Sequence, residues 1–184
     1  TSVSTDGGAS FTINPTNQLP DFTQCVGNRL YERASDPVVS FAPNGDAHQI
    51  SLSFNNTANL DNAVLVSKSP AGSAGQQWGA PITLKRDTNP AVFNDKESIT
   101  ADQNNANYVY AVWDRLVFPN ERTHGKSYLN TSAFRGPTWF SRTTNGGSSW
   151  ETARPIFDPG QNDQTIGNQI VALGNGGLVN VMTV

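Results

Sequence analysis

The sequence Thr-Thr-Asn-Gly-Gly-Ser-Ser-Trp at residues 143–150 decides the fold, because its pattern occurs three times in the chain. A second copy, Ser-Thr-Asp-Gly-Gly-Ala-Ser-Phe, lies at residues 4–11, and a damaged copy spans residues 67–78. The shared pattern is hydroxyl-x-Asp/Asn-x-Gly-x-x-aromatic. We expect the Asp or Asn side chain to hydrogen-bond backbone N–H groups two residues on, the glycines to take positive φ, and the aromatic to pack into an apolar layer. A turn that recurs in this way predicts a repeated supersecondary unit.

Short stretches of alternating or apolar residues flank these turns and predict strands. The predicted strands are residues 1–5, 11–14, 38–42, 49–54, 63–67, 80–84, 98–101, 108–113, 139–142, 150–157, 170–173 and 178–182. Residues 15–36 are interpreted as irregular and residues 114–136 as a long loop. The aromatics that end the three turns, Phe11, Trp78 and Trp150, recur at a nearly constant spacing along the chain. The repeat therefore contains four short strands.

Four antiparallel strands per repeat predict an all-β protein built from the blades of a β-propeller. Residues 1–15 are interpreted as the outer strands of one blade, residues 37–85 and 97–157 as two complete blades, and residues 168–184 as the inner strands of a further blade. All of them belong to a single propeller domain. Propellers have roughly 4–8 blades, so about three do not close a ring. We therefore expect a complementary chain or a missing remainder to complete the propeller.

Composition excludes several classes of partner. The net charge is −3, and the charged residues form no basic run, so no nucleic-acid partner is predicted. No window holds 18 apolar residues, so no membrane span is predicted. His48 and His124 lack a partner at metal-ligand spacing and no loop has EF-hand spacing, so neither a metal nor a cofactor is predicted. The first residues lack signal-peptide character, and we expect a secreted or extracellular protein whose signal has been removed.

The turn and its strand order resemble the Asp-box, or bacterial neuraminidase repeat, of the sialidase superfamily. The copy at residues 4–11 matches with Phe in place of the usual Trp, the copy at 143–150 matches with Thr for Ser and Asn for Asp, and the middle copy keeps Gly75 and Trp78. The resemblance implies a sialidase-like β-propeller of six or seven four-stranded blades, of which this chain contains about three. In this family the box joins the third and fourth strands of a blade, on the face opposite the substrate cleft.

That placement implies a functional face formed by the loops that enter the first strand and leave the second strand of each blade. Its candidate ligand-binding residues are Arg33, Asp36, Asp95, Lys96, Glu97, Asp114 and Arg115. The resemblance also implies three arginines for a substrate carboxylate, a Tyr nucleophile paired with a Glu, and an Asp acid/base. The family's first arginine lies in an Arg-Ile-Pro sequence, whereas here Arg33 is two residues out of place before Pro37. No catalytic residue is assigned.

Each candidate also has a structural interpretation. Arg33 could pair with Asp36 or Glu32, residues 95–97 could form a solvated loop with an internal ion pair, and residues 114 and 115 could pair with each other to brace the long loop. Three functions remain open: a secreted carbohydrate-handling propeller that acts as a glycoside hydrolase, a non-catalytic propeller that binds glycan or protein, and a structural part of a larger assembly. Clustered arginines beside two carboxylates about 5–9.5 Å apart would favour the hydrolase.

Overall fold

The structure, a computed structural model, describes residues 1–15, 19–27, 30–56, 60–119 and 135–184. Over these residues the chain is all-β, with antiparallel sheets and one short 3-10 helix, Ala71–Ser73. The strands are β1 Ser2–Val3, β2 Thr12–Ile13, β3 Arg33–Phe41, β4 Ala47–Phe54, β5 Asn62–Ser69, β6 Ile82–Asp87, β7 Val92–Ala101, β8 Val109–Val117, β9 Thr138–Thr143, β10 Arg154–Phe157, β11 Ile166–Ala172 and β12 Leu178–Thr183. Most connections are short turns, in keeping with the many Gly, Asn and Pro residues.

The strands form two four-stranded sheets and two hairpins. The first sheet has the order β3-β4-β5-β6 and the second sheet the order β7-β8-β9-β10. Strands β1 and β2 form the N-terminal hairpin, and β11 and β12 form the C-terminal hairpin. Each predicted strand corresponds to one of these elements, so the antiparallel four-strand repeat is confirmed at the level of strands.

Several strands extend beyond their predicted limits, into polar sequence. Strand β3 begins at Arg33 and β7 at Val92, so residues 33–36 and 95–97, predicted as irregular or loop, are strand. Strand β8 continues to Val117, through residues predicted as the start of a long loop. The period-two pattern missed these ends because a bulge within β3 and β7 shifts the alternation of inward and outward side chains.

Successive sheets pack face to face, with their first strands side by side. Strand β7 contacts both β3 and β11. A core cluster between the two sheets contains Ile50 and Val66 of the first sheet with Ile99 and Trp113 of the second. Another cluster packs Val112 of the second sheet, together with its neighbours, against the C-terminal hairpin. The first strands of three consecutive units therefore converge along one side of the molecule.

The turns at residues 4–11 and 143–150 close with the same hydrogen bonds. The Gly8 N–H donates to Ser4 Oγ at 2.8 Å, and the Gly147 N–H donates to Thr143 Oγ1 at 3.0 Å. The carboxylate of Asp6 accepts from the N–H four residues on, at 3.0 Å, as does the Oδ1 of Asn145. The prediction that the Asp or Asn side chain accepts from the N–H group two residues on is therefore wrong. That N–H group, which belongs to Gly8 or Gly147, donates to the hydroxyl side chain that begins the turn instead.

The aromatics that end the turns have different surroundings. Trp150 packs against the core cluster between the two sheets, as predicted. The Trp78 indole instead donates its Nε1–H to the Gly75 carbonyl oxygen at 3.0 Å and pins its own turn. Phe11 is 66% exposed, so the prediction that it lies in an apolar layer is wrong. Its hairpin has two strands rather than four, and none of the described residues covers the ring.

Candidate functional site

The first strand of each unit contains a bulge at the same place. The left-handed residues are Asp36 in β3 (φ 51°), Lys96 in β7 (φ 50°) and Gly167 in β11 (φ 69°). The strand pairing shifts register at each of these positions. A left-handed backbone costs a residue with a Cβ roughly 1–2 kcal/mol. Bulges of this kind change the direction of the neighbouring side chains. In β3 and β7 charged residues lie at the bulges and pair with each other across the two sheets.

Five charged residues meet at the bulge of β7, and we call them the acidic cluster. Its members are Asp36, Asp95, Lys96, Glu97 and Asp114. The Lys96 ammonium lies 2.8 Å from Asp36 Oδ2 and 3.9 Å from Asp95 Oδ1, so these two oxygens flank the same cation. Asp95 lies directly opposite Asp114 in the pairing of β7 with β8. Five of the seven predicted ligand-binding residues are thus brought together.

Two members of the acidic cluster are almost fully buried. Glu97 is 3% exposed and Asp114 is 1% exposed. Burial raises the pKa of Glu97 to about 8, and the nearby charges of Asp36 and Asp95 add to the rise. Burial, together with the charge of Asp95, raises the pKa of Asp114 to about 8. Both carboxyl groups therefore carry a proton through most of the neutral range.

The two buried acids also retain unused hydrogen-bonding capacity. Glu97 Oε2 and Asp114 Oδ1 have no hydrogen-bond partner among the residues that the structure describes. Asp95 is more accessible, and burial raises its pKa against the opposing effect of Lys96. The cluster thus combines an exposed ion pair, Asp36 with Lys96, and two buried, protonated carboxyl groups, those of Glu97 and Asp114.

Residues just after the bulges connect one unit to the preceding one. Glu97 accepts a hydrogen bond from the backbone N–H of Leu52, which pairs with β3 beside its bulge. Asn168 occupies the corresponding position in β11, where its Oδ1 accepts hydrogen bonds from Thr138 Oγ1 of the second sheet and from Asn180 Nδ2, each at 3.0 Å. Asn168 was not among the predicted site residues. It follows Glu97 by about one repeat length, and this spacing could have identified Asn168 as the equivalent residue of the next unit.

The structure places the two predicted arginines elsewhere. Arg115 donates Nε–H to Asp87 Oδ2 at 2.9 Å and Nη2–H to Asp87 Oδ1 at 2.6 Å, and its guanidinium lies 5.0 Å from the Trp139 ring centre. Neighbouring residues of a strand point to opposite faces, so Arg115 points away from Asp114 and the two do not pair. Arg33 lies exposed at the start of β3, and Asp36 pairs with Lys96 instead.

The Arg115 ion pair belongs to a buried polar network that sequence reasoning did not find. Burial raises the pKa of Asp87, but hydrogen bonds from Arg115 and Asn94 outweigh this effect and leave the pKa below its ordinary value. The Asn94 Nδ2–H group donates to Asp87 Oδ2 at 3.0 Å and to Asn62 Oδ1 at 2.7 Å. The Trp113 indole donates to Asn94 Oδ1 at 2.9 Å. This network holds the first and second sheets together.

Two further features of the described residues bear on the class of site. Among the described residues, no group of three or more His, Cys, Asp or Glu side chains is arranged to hold a metal ion. In the same part of the chain, no helix has the length and apolar character needed to cross a membrane. His124, named in the sequence reasoning, lies outside the described residues, as does most of the loop predicted at 114–136.

Comparison with solved structures identifies the class of fold. The chain is similar to a protein described as "Hadza microbial sialidase Hz136", with a TM-score of 0.52 and 11% sequence identity. The similarity covers 99% of this chain and 37% of that protein, so this chain spans little more than a third of its length. At this identity the similarity shows the fold alone, which is that of part of a sialidase-like β-propeller. No protein-family description matches the sequence, and no curated protein matches it.

Proposed function

We propose that this chain is part of a secreted, sialidase-like β-propeller of six or seven blades that handles carbohydrate at the acidic cluster. The observation that carries the proposal is the pair of solvent-reaching carboxyl groups, Asp36 and Asp95, on either side of the Lys96 ammonium. They lie at the junction of the first strands of two consecutive units. The convergence of a few polar groups is a usual feature of a ligand site.

Glycoside hydrolysis is the reaction that this pair supports best. Because Asp36 Oδ2 and Asp95 Oδ1 lie 2.8 Å and 3.9 Å from one ammonium, their separation cannot exceed the sum of these distances. That limit allows the roughly 5–5.5 Å separation of the two carboxyl groups in retaining glycosidases and excludes most of the wider range found in inverting ones. Burial raises the pKa of Asp95, which suits a group that donates a proton to the leaving oxygen. Asp36 would then act as the second carboxylate, while the protonated Glu97 and Asp114 add no negative charge beside Asp95.

The described arginines do not supply a carboxylate-binding set at this cluster. Four of them already pair with acids: Arg86 with Asp61, Arg115 with Asp87, Arg135 with Asp158, and Arg142 with Glu151. Arg154 lies over the Phe140 ring. Recognition of an acidic sugar would therefore draw on the exposed Arg33 at the start of β3 and on arginines outside the described residues or in the remaining blades. In this proposal the chain contributes the carboxyl side of the cleft.

Hydrolysis of fluorogenic α-sialosides and of neutral aryl glycosides tests the proposal. We expect the wild-type chain, together with whatever completes its ring, to release the fluorophore, and Asp95→Asn to lower the rate at least a hundredfold. Asp163→Asn is the matched control, since it removes an exposed acid far from the cluster in sequence. Equal rates for wild type and Asp95→Asn would remove Asp95 from the chemistry, and no turnover of any glycoside would remove hydrolysis.

A non-catalytic glycan-binding propeller is the second candidate, and one observation favours it. Glu97 and Asp114 are buried, so of the cluster only Asp36, Asp95 and Lys96 can touch a ligand in this conformation. Binding to a glycan array distinguishes the two. Retained glycan binding without hydrolysis, weakened by Asp36→Asn and Lys96→Met, would support the binding function. A role as a structural part of a larger assembly predicts neither binding nor hydrolysis.

A further inference from the structure

The left-handed positions of the three bulged strands differ in the residues that occupy them. Gly167 takes this backbone without strain in β11, whereas β3 has Asp36 and β7 has Lys96 at the same place. A left-handed backbone is costly for a residue with a Cβ, and Asp tolerates it better than Lys does. The lysine side chain is therefore present at a backbone cost that a glycine would remove.

The ion pair between Lys96 and Asp36 does not offset that cost. The Lys96 side chain is 47% exposed and the Asp36 side chain is 36% exposed. Ion pairs that are so accessible to solvent contribute less to stability than the strain of a left-handed residue removes. Stability therefore does not explain a lysine at this position, and the effect of its charge on neighbouring groups is the better explanation.

Lys96 contacts one carboxyl group on each side of the junction between units. Its ammonium donates a hydrogen bond to Asp36 Oδ2 at 2.8 Å and lies 3.9 Å from Asp95 Oδ1. Its backbone N–H also donates to Asp95 Oδ1, at 3.0 Å. Both contacts with Asp95 fall on Oδ1, so a proton on this carboxyl group belongs on Oδ2. Because the ammonium hydrogen-bonds Asp36, it gives the ionised form of Asp95 only part of the stabilisation of a full ion pair.

Two further acids lie near Asp95, and both keep their protons near neutral pH. Asp114 is directly opposite Asp95 in the pairing of β7 with β8, and Glu97 follows two residues later in β7. Both are buried, and burial raises the pKa of each to about 8. Below that pH neither acid places a full negative charge beside Asp95.

The remaining ionisable residues on the strands around β7 have other surroundings. Strand β11 contains none. Arg33 lies at the exposed start of β3, and His48 of β4 and Lys68 of β5 lie beside the turn at residues 143–150. The charged residues of β6 are paired: Lys85 with Asp87, Arg86 with Asp61, and Asp87 also with Arg115. Within the part of the chain that the structure describes, Lys96 and Asp36 are therefore the charges that act on Asp95.

We propose that Lys96 is a positioning residue that controls the proton on Asp95, and that Asp36 of the preceding unit tunes this control by holding part of the Lys96 charge. The inference rests on the function proposed above, in which Asp95 is the proton donor. When the Asp95 proton passes to the leaving oxygen, the carboxylate that remains lies beside the Lys96 ammonium. Asp36 keeps that attraction partial, so Asp95 still holds its proton before the transfer.

The direction of each effect follows from the sign of the charge. Burial raises the pKa of Asp95, the Lys96 charge opposes the rise, and the Asp36 charge adds to it. Lys96→Met removes the cation that favours the ionised form, so it should raise the pKa of Asp95. Asp36→Asn removes a negative charge and frees the ammonium to pair with Asp95, so it should lower the pKa of Asp95.

NMR of the aspartate carboxyl carbons measures these titrations without a substrate, and Asp95→Asn identifies the Asp95 signal by its loss. We expect the titration midpoint of Asp95 to move up in Lys96→Met and down in Asp36→Asn. Lys96→Arg is the matched control, since it keeps the charge and should keep the wild-type midpoint. Met and Arg both retain a Cβ and an unbranched chain, so the strain of the bulge is common to both variants. The near-ultraviolet circular dichroism of buried Trp113 checks that each variant is folded.

The pH profile of hydrolysis provides a second readout that a merely structural role would not move. A proton donor is lost as pH rises through its pKa, so the alkaline limb of kcat/KM should move to higher pH in Lys96→Met and stay in place in Lys96→Arg. Shifted NMR titrations without hydrolysis of any glycoside would support control of the proton by Lys96 and remove the proposed reaction. Hydrolysis with one Asp95 midpoint in wild type, Lys96→Met and Asp36→Asn would overturn the inference and leave the reaction standing. Equal shifts in Lys96→Met and Lys96→Arg would also overturn it, because the charge would then not be the cause.

Discussion

Glu97 of β7 accepts a hydrogen bond from the backbone N–H of Leu52 in β4. Glu97 directly follows the bulge of β7, and Leu52 pairs with β3 beside its bulge, so this contact joins two successive units. The carboxyl group is buried and protonated near neutral pH. One unit later, Asn168 occupies the position of Glu97 and accepts a hydrogen bond from Thr138 of the second sheet at 3.0 Å. The residue after the bulge therefore contacts the preceding unit in both cases, through an ionisable side chain in β7 and a neutral one in β11.

The ionisable side chain at position 97 makes the stability of the protein depend on pH. Burial raises the pKa of Glu97 from 4.5 to about 8. Between these values the native state keeps a proton that the unfolded state has lost, so the contribution of Glu97 to the free energy of unfolding is complete below about pH 4.5 and declines as pH rises to about 8. Urea unfolding at pH 5, 6.5 and 8 should show that this decline is smaller in Glu97→Gln, which stays neutral and can still accept from Leu52.

The difference between wild type and variant isolates the effect of Glu97. Burial lowers the pKa of His48 to about 4, which adds a slope of opposite sign at acidic pH, but this contribution is common to both proteins. Asp114→Asn should reduce the decline separately, because the pKa of Asp114 is raised to about 8 for the same reason. Parallel pH profiles for wild type and Glu97→Gln would contradict a raised pKa.

The Asp87–Arg115 ion pair should contribute strongly to stability. Asp87→Asn removes the charge opposite a mostly buried guanidinium and places an amide donor against Asn94. Removing one partner of a buried pair destabilises a protein by about 3–5 kcal/mol, and we expect a loss of about 3 kcal/mol in urea unfolding.

Asp158→Asn provides the matched comparison for that ion pair. It breaks the pair with Arg135, which is largely exposed, so the expected loss is about 0–1 kcal/mol. Equal losses in the two variants would show that burial of the Asp87 pair is unimportant.

The turn at residues 143–150 should tolerate less change than its counterpart at residues 4–11. Gly147 has a φ of 86°, and a Cβ there would lie 3.0 Å from the His48 imidazole. Gly8 has a φ of 92°, with no neighbouring atom within 4 Å of a Cβ. Gly8→Ala should therefore lose about 1–2 kcal/mol from backbone strain alone.

Gly147→Ala should lose more than Gly8→Ala, because the strain is joined by displacement of a buried ring from a close-packed site. Thermal unfolding of the two variants measures the difference directly. A smaller loss for Gly147→Ala would show that the third turn does not dock on His48.

The left-handed backbone at Lys96 can be tested with paired substitutions. Lys96→Gly and Lys96→Ala both remove the ion pair with Asp36. In an ordinary strand Ala is favoured over Gly, but at a φ of 50° the order should reverse by about 0.5–1 kcal/mol. Urea unfolding of the two variants gives the order. A more stable Ala variant would contradict the bulge.

Much of the fold could be predicted because the repeat is local in sequence. The turns at residues 4–11 and 143–150 contain their own hydrogen-bonding partners, and strands such as β4 and β8 alternate or carry apolar runs. The predicted strand limits were wrong where a bulge interrupts the alternation of side chains, as at Asp36 and Lys96. The prediction that Phe11 is buried was wrong for another reason. Burial of this ring depends on neighbouring strands, which the local sequence pattern does not describe.

The candidate site was predicted in part. The repeat predicted charged residues at the start of two first strands and at the end of one second strand. Five of these residues, the acidic cluster, do meet in the structure. Arg115 was grouped with them because it is adjacent to Asp114, but alternation along β8 turns it towards Asp87. The buried role of Asn94 could not be predicted, because an Asn in a strand has no distinctive pattern.

By itself, the sequence determined the repeat, the order of four strands within it and the turn that closes each unit, because all of these depend on residues within a few positions of each other. Only the tertiary structure decided which charged side chains share a site and which are neutralised elsewhere. It also decided that Glu97 and Asp114 hold protons near neutral pH. The reason is that burial and charge proximity arise between units a full repeat apart in sequence, where the bulges and the packing of one unit on the next set the distances.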